Sequence, residues 1–179
     1  MKTILTALII TFSTALLAQE VPPIQWMTME QAQEAMKVEK KKIFIDLYTD
    51  WCGWCKKMDA TTFVDPNVAF FMNKYYYAVK FDAETKDTIV FNNYKFANTA
   101  PVDKRGTHYF AYSILDGQMS YPSFAILDEN MTRIHVIAGF QQPEPFMSTL
   151  MFFGTNQYQQ YTNYLIKQMQ KQQEENQNQ

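Results

Sequence analysis

The feature that most constrains the fold of this 179-residue chain is a short apolar run that leads directly into a Cys-Gly-Trp-Cys turn. The run, KIFIDLYTD at residues 42–50, is rich in β-forming residues and is typical of a strand buried on both faces of a parallel sheet. Cys52 and Cys55 follow in the first turn of a predicted helix, and they are the only cysteines of the chain. Helix, strand, helix and strand in this order predict a parallel βαβ unit.

The close spacing of the two cysteines argues against a purely structural bond. The stabilisation by a disulfide grows with loop length, and a bond between Cys52 and Cys55 would close a very small loop. Zinc lacks the other half of a site, since there is no second cysteine pair and His108 and His135 are isolated. Haem attachment would need a histidine directly after Cys55, where Lys56 stands. A Cu(I) site made of the two thiolates stays an alternative.

A cysteine at the start of a helix is favoured in its ionised form. Unpaired backbone N–H groups and the positive end of the helix dipole both stabilise a thiolate there. We therefore expect the pKa of Cys52 to fall from about 8.5 into the range of about 3.5 to 7.5. Cys52 is the predicted attacking thiol. Cys55, one turn into the helix and more buried, is predicted to resolve the mixed disulfide.

An acidic residue, Asp46, interrupts the predicted buried strand. A buried carboxylate costs free energy unless it is hydrogen-bonded or neutral. Six residues before Cys52, Asp46 could lie beneath the cysteine pair and accept the proton of Cys55 during resolution, because burial raises a carboxyl pKa towards the working pH. The alternative is a carboxylate that a neighbouring lysine satisfies, and Lys80 is a candidate that the sequence leaves unassigned.

The rest of the chain shows further helix and strand signals. Thr28 and Gln31 have the spacing of a capping box, and the lysines at 40–42 are expected to end that helix on a solvated surface. The other predicted elements are a helix to about Asn73 with a break near Pro66, a strand at 75–83, helical stretches near 86–96 and 107–115, two strands in SYPSFAILD and MTRIHVIAGF that form an antiparallel hairpin, and helices at 144–153 and 155–171. A stripe of Tyr158, Tyr161, Leu165 and Met169 is expected to pack on the domain.

Both ends of the chain are predicted to lie outside the folded domain. Residues 1–18 have a basic start and an apolar run, which is typical of a secretory signal peptide. The run is shorter than the roughly 20 residues of a spanning helix, and a retained anchor is the alternative. Residues 19–170 are predicted to form one domain, in which residues 84–118 are a helical insertion. The polar residues 171–179 are predicted to be disordered.

The charge balance indicates which partners to exclude. The chain has 16 Lys+Arg against 18 Asp+Glu, a formal net charge of −2. Nucleic-acid-binding proteins normally present a strongly basic face. Nucleic acid is therefore not a predicted partner.

Two motifs carry a family resemblance. FIDLYTDWCGWCK resembles the active-site segment of the thioredoxin superfamily, with an acidic residue six before the first cysteine and a tryptophan directly before it. YPSF at 121–124 resembles the cis-proline loop of that family, and Gly139 falls where the family has a glycine after its last strand. A closer resemblance is to exported proteins related to the C-terminal domain of the membrane thiol:disulfide interchange reductase, which share WCGWCK. It spans about residues 28–153 and is weak through 84–118.

The resemblance implies a three-layer α/β/α thioredoxin-like fold with a helical insertion before the cis-proline strand. It implies that Pro122 is a cis-proline and that the loop binds the substrate chain as an added strand. The site residues are assigned as catalytic Cys52, Cys55 and Asp46, and substrate-binding Trp51, Trp54, Tyr121 and Pro122.

The function that follows is thiol/disulfide exchange on exported proteins, periplasmic or secreted, leaning to a reductase or isomerase. The resemblance implies a membrane-embedded electron donor, and no cofactor or metal is predicted. Trp54 stands where reductive thioredoxins have proline and oxidising or isomerising relatives have histidine, so the sequence leaves the direction of electron flow open. The alternatives are a binding or assembly module of the same fold and a Cu(I) chaperone, in which the dithiol is not catalytic.

Overall fold

The strand that leads into the cysteines, β2 (Lys42–Tyr48), lies at the centre of a five-stranded sheet in the computed structural model of the protein, which describes residues 21–177. Residues 42–47 are all buried, as expected of a strand covered on both faces. Lys42, expected on a solvated surface, is therefore buried as the first residue of this strand. The signal peptide predicted for residues 1–18 lies outside the described residues.

The elements follow one another in the order expected around the cysteine pair. The helices are α1 (Met29–Val38), α2 (Gly53–Ala60), α3 (Pro66–Tyr75), α4 (Tyr109–Ile114), α5 (Pro143–Gly154) and α6 (Gln157–Gln177). The other strands are β1 (Trp26–Met27), β3 (Tyr76–Asp82), β4 (Ile89–Phe91), β5 (Tyr94–Phe96), β6 (Ser123–Leu127) and β7 (Arg133–Ala138). The sheet order is β1-β3-β2-β6-β7, in which β1, β3 and β2 are parallel and β6 and β7 form the predicted antiparallel hairpin.

Helices cover both faces of this sheet. Successive strand side chains point to opposite faces, so Ile43, Ile45 and Leu47 of β2 pack with α1 and α4. Phe44 points the other way, into a second core formed with α2, α3 and α5. The three-layer α/β/α thioredoxin-like fold is thus confirmed.

The start of α1 shows how local signals define the helix ends. Thr28 Oγ1 accepts the backbone N–H of Gln31 at 3.2 Å, and the side chain of Gln31 accepts the backbone N–H of Thr28 at 2.8 Å. This reciprocal pair is the predicted capping box. The break predicted near Pro66 is also present, because α2 ends at Ala60 and Asp65 caps a new helix.

The helix predicted near 86–96 is wrong. These residues instead contain the short antiparallel hairpin of β4 and β5, which is a separate two-stranded sheet. Asn92 and Asn93 form its turn with φ of 49° and 65°, a left-handed conformation that asparagine tolerates better than most residues. Ile89 and Phe91 point into the core. The second stretch, near 107–115, is helical as predicted and contains α4.

The C-terminal helix also differs from expectation. α6 extends to Gln177, so the disorder predicted for residues 171–179 is wrong for 171–177. Its Gln, Lys and Glu residues favour helix, and Lys171 lies 3.8 Å from Glu175 one turn later. The expected packing stripe is present only at its start: Tyr158 packs on the second core and the Tyr161 ring lies 6.4 Å from that of Phe152, whereas Leu165 and Met169 are exposed. None of the helices within residues 21–177 has the length and apolar character to span a bilayer.

Candidate active site

The two cysteines form a disulfide at the start of α2, with an S–S distance of 2.10 Å. Cys52 directly precedes the helix in an extended backbone conformation and acts as its N-cap. The backbone N–H of Cys55 donates to Cys52 Sγ at 3.0 Å. The predicted position of Cys52 at a helix start is confirmed. A negative charge on this sulfur would therefore meet a direct N–H donor and the helix dipole.

The two cysteines are almost equally buried. Cys55 was expected to be more buried than Cys52, and the difference is only slight, at 3% against 4% exposed. Trp51 and Trp54, on either side of Cys52 in the sequence, are 51% and 56% exposed.

The proline loop lies beside this pair. The peptide bond between Tyr121 and Pro122 is cis, as predicted. Because Ser123 pairs with Leu47, the register places Pro122 next to the end of β2, just before the cysteine turn. The rings of Tyr121 and Trp51 form a T-shaped contact, with ring centroids 5.9 Å apart. The roles of these residues in substrate binding stay predictions.

A glycine on the neighbouring strand holds the loop in place. Gly139, which follows β7, donates its backbone N–H to the carbonyl oxygen of Pro122 at 2.8 Å. Its φ of 86° lies in the left-handed region, which glycine adopts without steric cost. Burial, followed by the nearby carboxylates of Glu84 and Asp82, raises the pKa of Tyr121 to about 12. The phenol beside Trp51 is therefore neutral at physiological pH.

Asp46 is linked to the helix that carries the cysteines. It is buried in β2, and Lys80 Nζ lies 2.6 Å from its Oδ2. Lys80 also contacts the carboxylate of Asp59, which is four residues after Cys55 on α2. Residues four apart lie on the same helix face. Lys80 thus connects Asp46 to the face of α2 on which Cys55 lies.

Burial is the main influence on the charge of Asp46. It raises the pKa of Asp46 from 3.8 to about 6, although the Lys80 ammonium opposes this shift. Burial lowers the pKa of Lys80, but Asp46 and Asp59 outweigh that effect and raise it. Within the described part of the chain, Asp46 Oδ1 and Thr49 Oγ1 are buried without a hydrogen-bond partner. The raised pKa agrees with this incomplete satisfaction of the carboxylate.

Lys80 is therefore the neighbouring lysine that could satisfy the Asp46 carboxylate. It does not bring the pKa of Asp46 down to its ordinary value, so Asp46 keeps the raised pKa that a proton acceptor needs. Lys80 was a candidate partner of Asp46 that the sequence left unassigned. The parallel register of β2 and β3, which pairs Asp46 with Lys80 directly, now assigns it. Asp59 was missed, and its sequence signal is its spacing of four from Cys55.

The segment between β3 and β6 contributes two contacts of Trp51 that sequence reasoning missed. Trp51 Nε1 donates to Glu84 Oε2 at 3.0 Å, and the guanidinium of Arg105 lies over the Trp51 ring, 5.6 Å from its centroid.

Trp54 contacts a different pair of residues. Phe140 lies 5.4 Å from it between ring centroids, and Lys57 Nζ lies 4.9 Å from its centroid.

The two histidines lie away from the cysteine pair. His108 caps α4, where Nδ1 accepts the backbone N–H of Phe110 at 3.1 Å, and burial lowers its pKa. His135 stacks on Phe153 with ring centroids 4.5 Å apart. Their predicted structural character is thus supported. Residues 21–177 do not gather three or more His, Cys, Asp or Glu side chains in an arrangement that could hold a metal ion.

Comparison with known sequences places this geometry in a family. The model of the Thioredox_DsbH family, described as "Protein of unknown function, DUF255", matches residues 6–175. The thiol:disulfide interchange protein DsbD of Haemophilus ducreyi is 44% identical over 39 residues, which are 22% of this chain and 7% of that protein. The chain thus spans a small part of that relative.

Comparison with solved structures shows the same fold. The structure described as "DsbH Oxidoreductase" has a TM-score of 0.52 at 18% identity, with 74% of this chain and 85% of that chain covered. A putative disulphide-isomerase from Bacteroides thetaiotaomicron has a TM-score of 0.51 at 19% identity, covering 74% and 91%. A thioredoxin from Thermus thermophilus has a TM-score of 0.52 at 11% identity, covering 72% and 85%.

Proposed function

The chain belongs to the Thioredox_DsbH family of thioredoxin-like proteins, and on this premise we propose that it is a thiol/disulfide oxidoreductase of exported proteins. One observation supports the proposal most strongly. Cys52 Sγ accepts the backbone N–H of Cys55 at the start of α2, so the position that would attack a client disulfide is also where a thiolate is stabilised.

The proposed reaction is a two-electron exchange. The reduced Cys52 thiolate attacks one sulfur of a client disulfide, and the other client sulfur leaves as a thiolate that takes a proton. Cys55 then loses its proton and attacks Cys52 Sγ, which releases the second client sulfur as a thiol. The client disulfide is reduced, and the Cys52–Cys55 dithiol is oxidised to the disulfide. A dithiol electron donor, proposed to be membrane-embedded, reduces this bond again.

Asp46 is the proposed acceptor of the Cys55 proton. With a pKa raised to about 6, Asp46 is mostly ionised at pH 7 and still basic enough to take a proton. The link through Lys80 to Asp59 supports its placement near the inner cysteine. After resolution the proton would leave Asp46 again, and the site would return to its starting charge.

The client chain is proposed to bind along the cis-proline loop. Tyr121 and Pro122 lie beside the end of β2, and Trp51 and Trp54 provide the exposed aromatic surface next to the sulfurs. An extended segment that hydrogen-bonds along this loop would present its disulfide to Cys52. Flat indole rings provide contact area that does not depend on one client sequence.

Trapping of clients tests the exchange itself. We expect Cys55→Ser to accumulate mixed disulfides between Cys52 and client proteins, because the resolving thiol is missing. Cys52→Ser should lose them, although it folds in the same way. Unchanged biological activity in both variants would instead favour the binding or assembly module, and thiol-dependent Cu(I) transfer would favour the chaperone.

The reduction potential tests the direction of electron flow, which we propose is reductive or isomerising. A value of about −270 mV, similar to that of thioredoxin, supports a reductant, and a value of about −120 mV supports an oxidant. The potential is measured by equilibration of the Cys52–Cys55 pair with glutathione buffers and quantification of the free thiols.

Export is part of the proposal. We propose that residues 1–18 direct the chain out of the cytoplasm into the periplasm or the medium, where client disulfides exist. N-terminal sequencing of the protein recovered from each cell fraction tests this. Recovery of the intact N-terminus from the cytoplasm alone would contradict it.

A further inference from the structure

A loop of the insertion, which we call the insertion loop (residues 97–107), is fixed next to the active site. Asn98 Nδ2 donates to the carbonyl oxygen of Glu84 at 3.0 Å and to that of Gly106 at 2.5 Å. The Asn98 side chain therefore links both ends of the insertion loop to Glu84, which contacts Trp51.

Two further features hold the insertion loop. Lys86 Nζ donates to the carbonyl oxygens of Ala100 at 3.2 Å and Lys104 at 2.9 Å. A Cβ at Gly106 would overlap the Cβ of Ala100, so the close approach of these two segments of the loop requires glycine there. Such a loop presents its side chains from a defined backbone.

Arg105 is the residue that the insertion loop presents to Trp51. Its guanidinium lies over the indole ring, while Glu84 accepts the indole N–H at the ring edge. Arg105 is exposed, and no carboxylate of residues 21–177 forms an ion pair with it. A guanidinium carries five N–H donors, and without such a pair those of Arg105 are available for a ligand.

We propose that Arg105 forms a carboxylate-binding subsite that selects client segments with an Asp or Glu side chain next to the reacting disulfide. The inference rests on the proposed function, because the client is the protein whose disulfide reacts with Cys52. Trp51 directly precedes Cys52, so a carboxylate bound at Arg105 would lie beside the residue next to the reacting cysteine. Lys57 lies over Trp54 in a similar way, which places a cation at each of the two tryptophans.

Three synthetic peptides test the subsite. Each has one internal disulfide, and they differ only in the residues on either side of one cysteine, which are Glu, Gln or Lys. For the wild type we expect kcat/KM for the Glu peptide to exceed that for the Lys peptide by about threefold to fivefold at low ionic strength, and the ratio to fall with added salt. Arg105→Gln should lower the ratio clearly, with Lys57 at Trp54 still present, and Arg105→Glu should lower it further.

Lys104→Gln is the matched control, because it removes an exposed cation from the neighbouring position of the same loop. It should keep the wild-type ratio. An equal ratio in the wild type and Arg105→Gln, or the same loss of preference in Lys104→Gln, would overturn the assignment to Arg105.

Binding and exchange are separated by a second pair of measurements. Reduction of hydroxyethyl disulfide, a small neutral substrate, by the wild type tests the proposed function without the subsite. A cysteine-free Glu peptide tests the subsite without exchange, and it should shift the indole N–H resonance of Trp51 in the wild type but not in Arg105→Gln. Absence of that shift in the wild type would overturn the subsite even where hydroxyethyl disulfide is reduced.

Discussion

The ammonium of Lys80 lies 2.6 Å from the carboxylate of Asp46, and the two residues are direct partners in the register of β2 and β3. The cation does not lower the pKa of Asp46 below its ordinary value, because burial of the carboxyl group has the larger effect. Two measurable quantities therefore depend on this pair: the free energy of unfolding as a function of pH, and the pKa of Asp46.

The raised pKa of Asp46 predicts a pH-dependent difference between the wild type and Asp46→Asn. The folded protein holds the Asp46 proton more tightly than the unfolded chain does, so this contribution to stability is complete below about pH 3.8 and is lost as the pH rises through about 6. The asparagine side chain of the variant does not titrate. We expect the free energy of unfolding of the variant, relative to the wild type, to increase by about 2 kcal/mol between pH 4 and pH 7.5.

Urea denaturation of both oxidised proteins at a series of pH values measures this difference. Subtraction removes the titration of the groups that do not interact with Asp46. A difference that stays constant between pH 4 and pH 7.5 would show that the carboxyl group has its ordinary pKa when folded.

The pKa of Asp46 should respond in opposite directions to changes at its two charged neighbours. Lys80 lowers it and Asp59 raises it. We therefore expect Lys80→Met to raise the pKa of Asp46 above about 6 and Asp59→Asn to lower it slightly. The carbon-13 resonance of the Asp46 carboxyl group, followed as a function of pH, reports both. Shifts of the same sign in the two variants would contradict the arrangement.

The order of alkylation tests the difference between the two sulfurs. In the reduced protein at pH 7 we expect Cys52 to react with iodoacetamide about tenfold faster than Cys55, because a thiolate at the helix start is stabilised by the N–H of Cys55 and by the helix dipole. Mass spectrometry of the digested protein measures each rate. Because both cysteines are almost fully buried, Cys52→Ser and Cys55→Ser are alkylated separately as controls for access.

The parts of the fold that depend on local signals could be predicted from the sequence. The apolar run into Cys52, the capping box of Thr28 and Gln31 and the β6–β7 hairpin all depend on residues close together in the chain. The cis peptide before Pro122 followed from the family resemblance. These features include the framework that holds the cysteine pair.

The parts that depend on strand register could not be predicted in the same way. The partnership of Lys80 with Asp46 requires the alignment of β2 with β3, and a shift by one residue would move Lys80 to the other face of the sheet. The contact of Arg105 with Trp51 depends on the path of the insertion loop. The turn formed by Asn92 and Asn93 had a sequence signal that the helix prediction overlooked.

Lys42, far from the active site, is another residue whose burial could not be predicted from its neighbours in the sequence. Three consecutive lysines suggested a solvated helix end, yet the side chain of Lys42 is 1% exposed because β2 begins there. Its ammonium lies 2.6 Å from Glu129 Oε1 and 2.6 Å from Asn156 Oδ1. The buried cation therefore joins the central strand to the β6–β7 turn and to the junction of α5 and α6.

Removal of the carboxylate from this pair should be more harmful than removal of the lysine. Glu129→Ala leaves a buried ammonium without its charged partner, and we expect the free energy of unfolding to fall by about 3 kcal/mol. Lys42→Met keeps most of the side-chain volume without the charge and should cost clearly less. Glu39→Ala, which breaks the exposed pair with Lys41, serves as the control and should change stability by less than about 1 kcal/mol. Urea denaturation at pH 7 compares the three variants, and an equal loss in Glu129→Ala and Glu39→Ala would show that burial of Lys42 does not strengthen its dependence on Glu129.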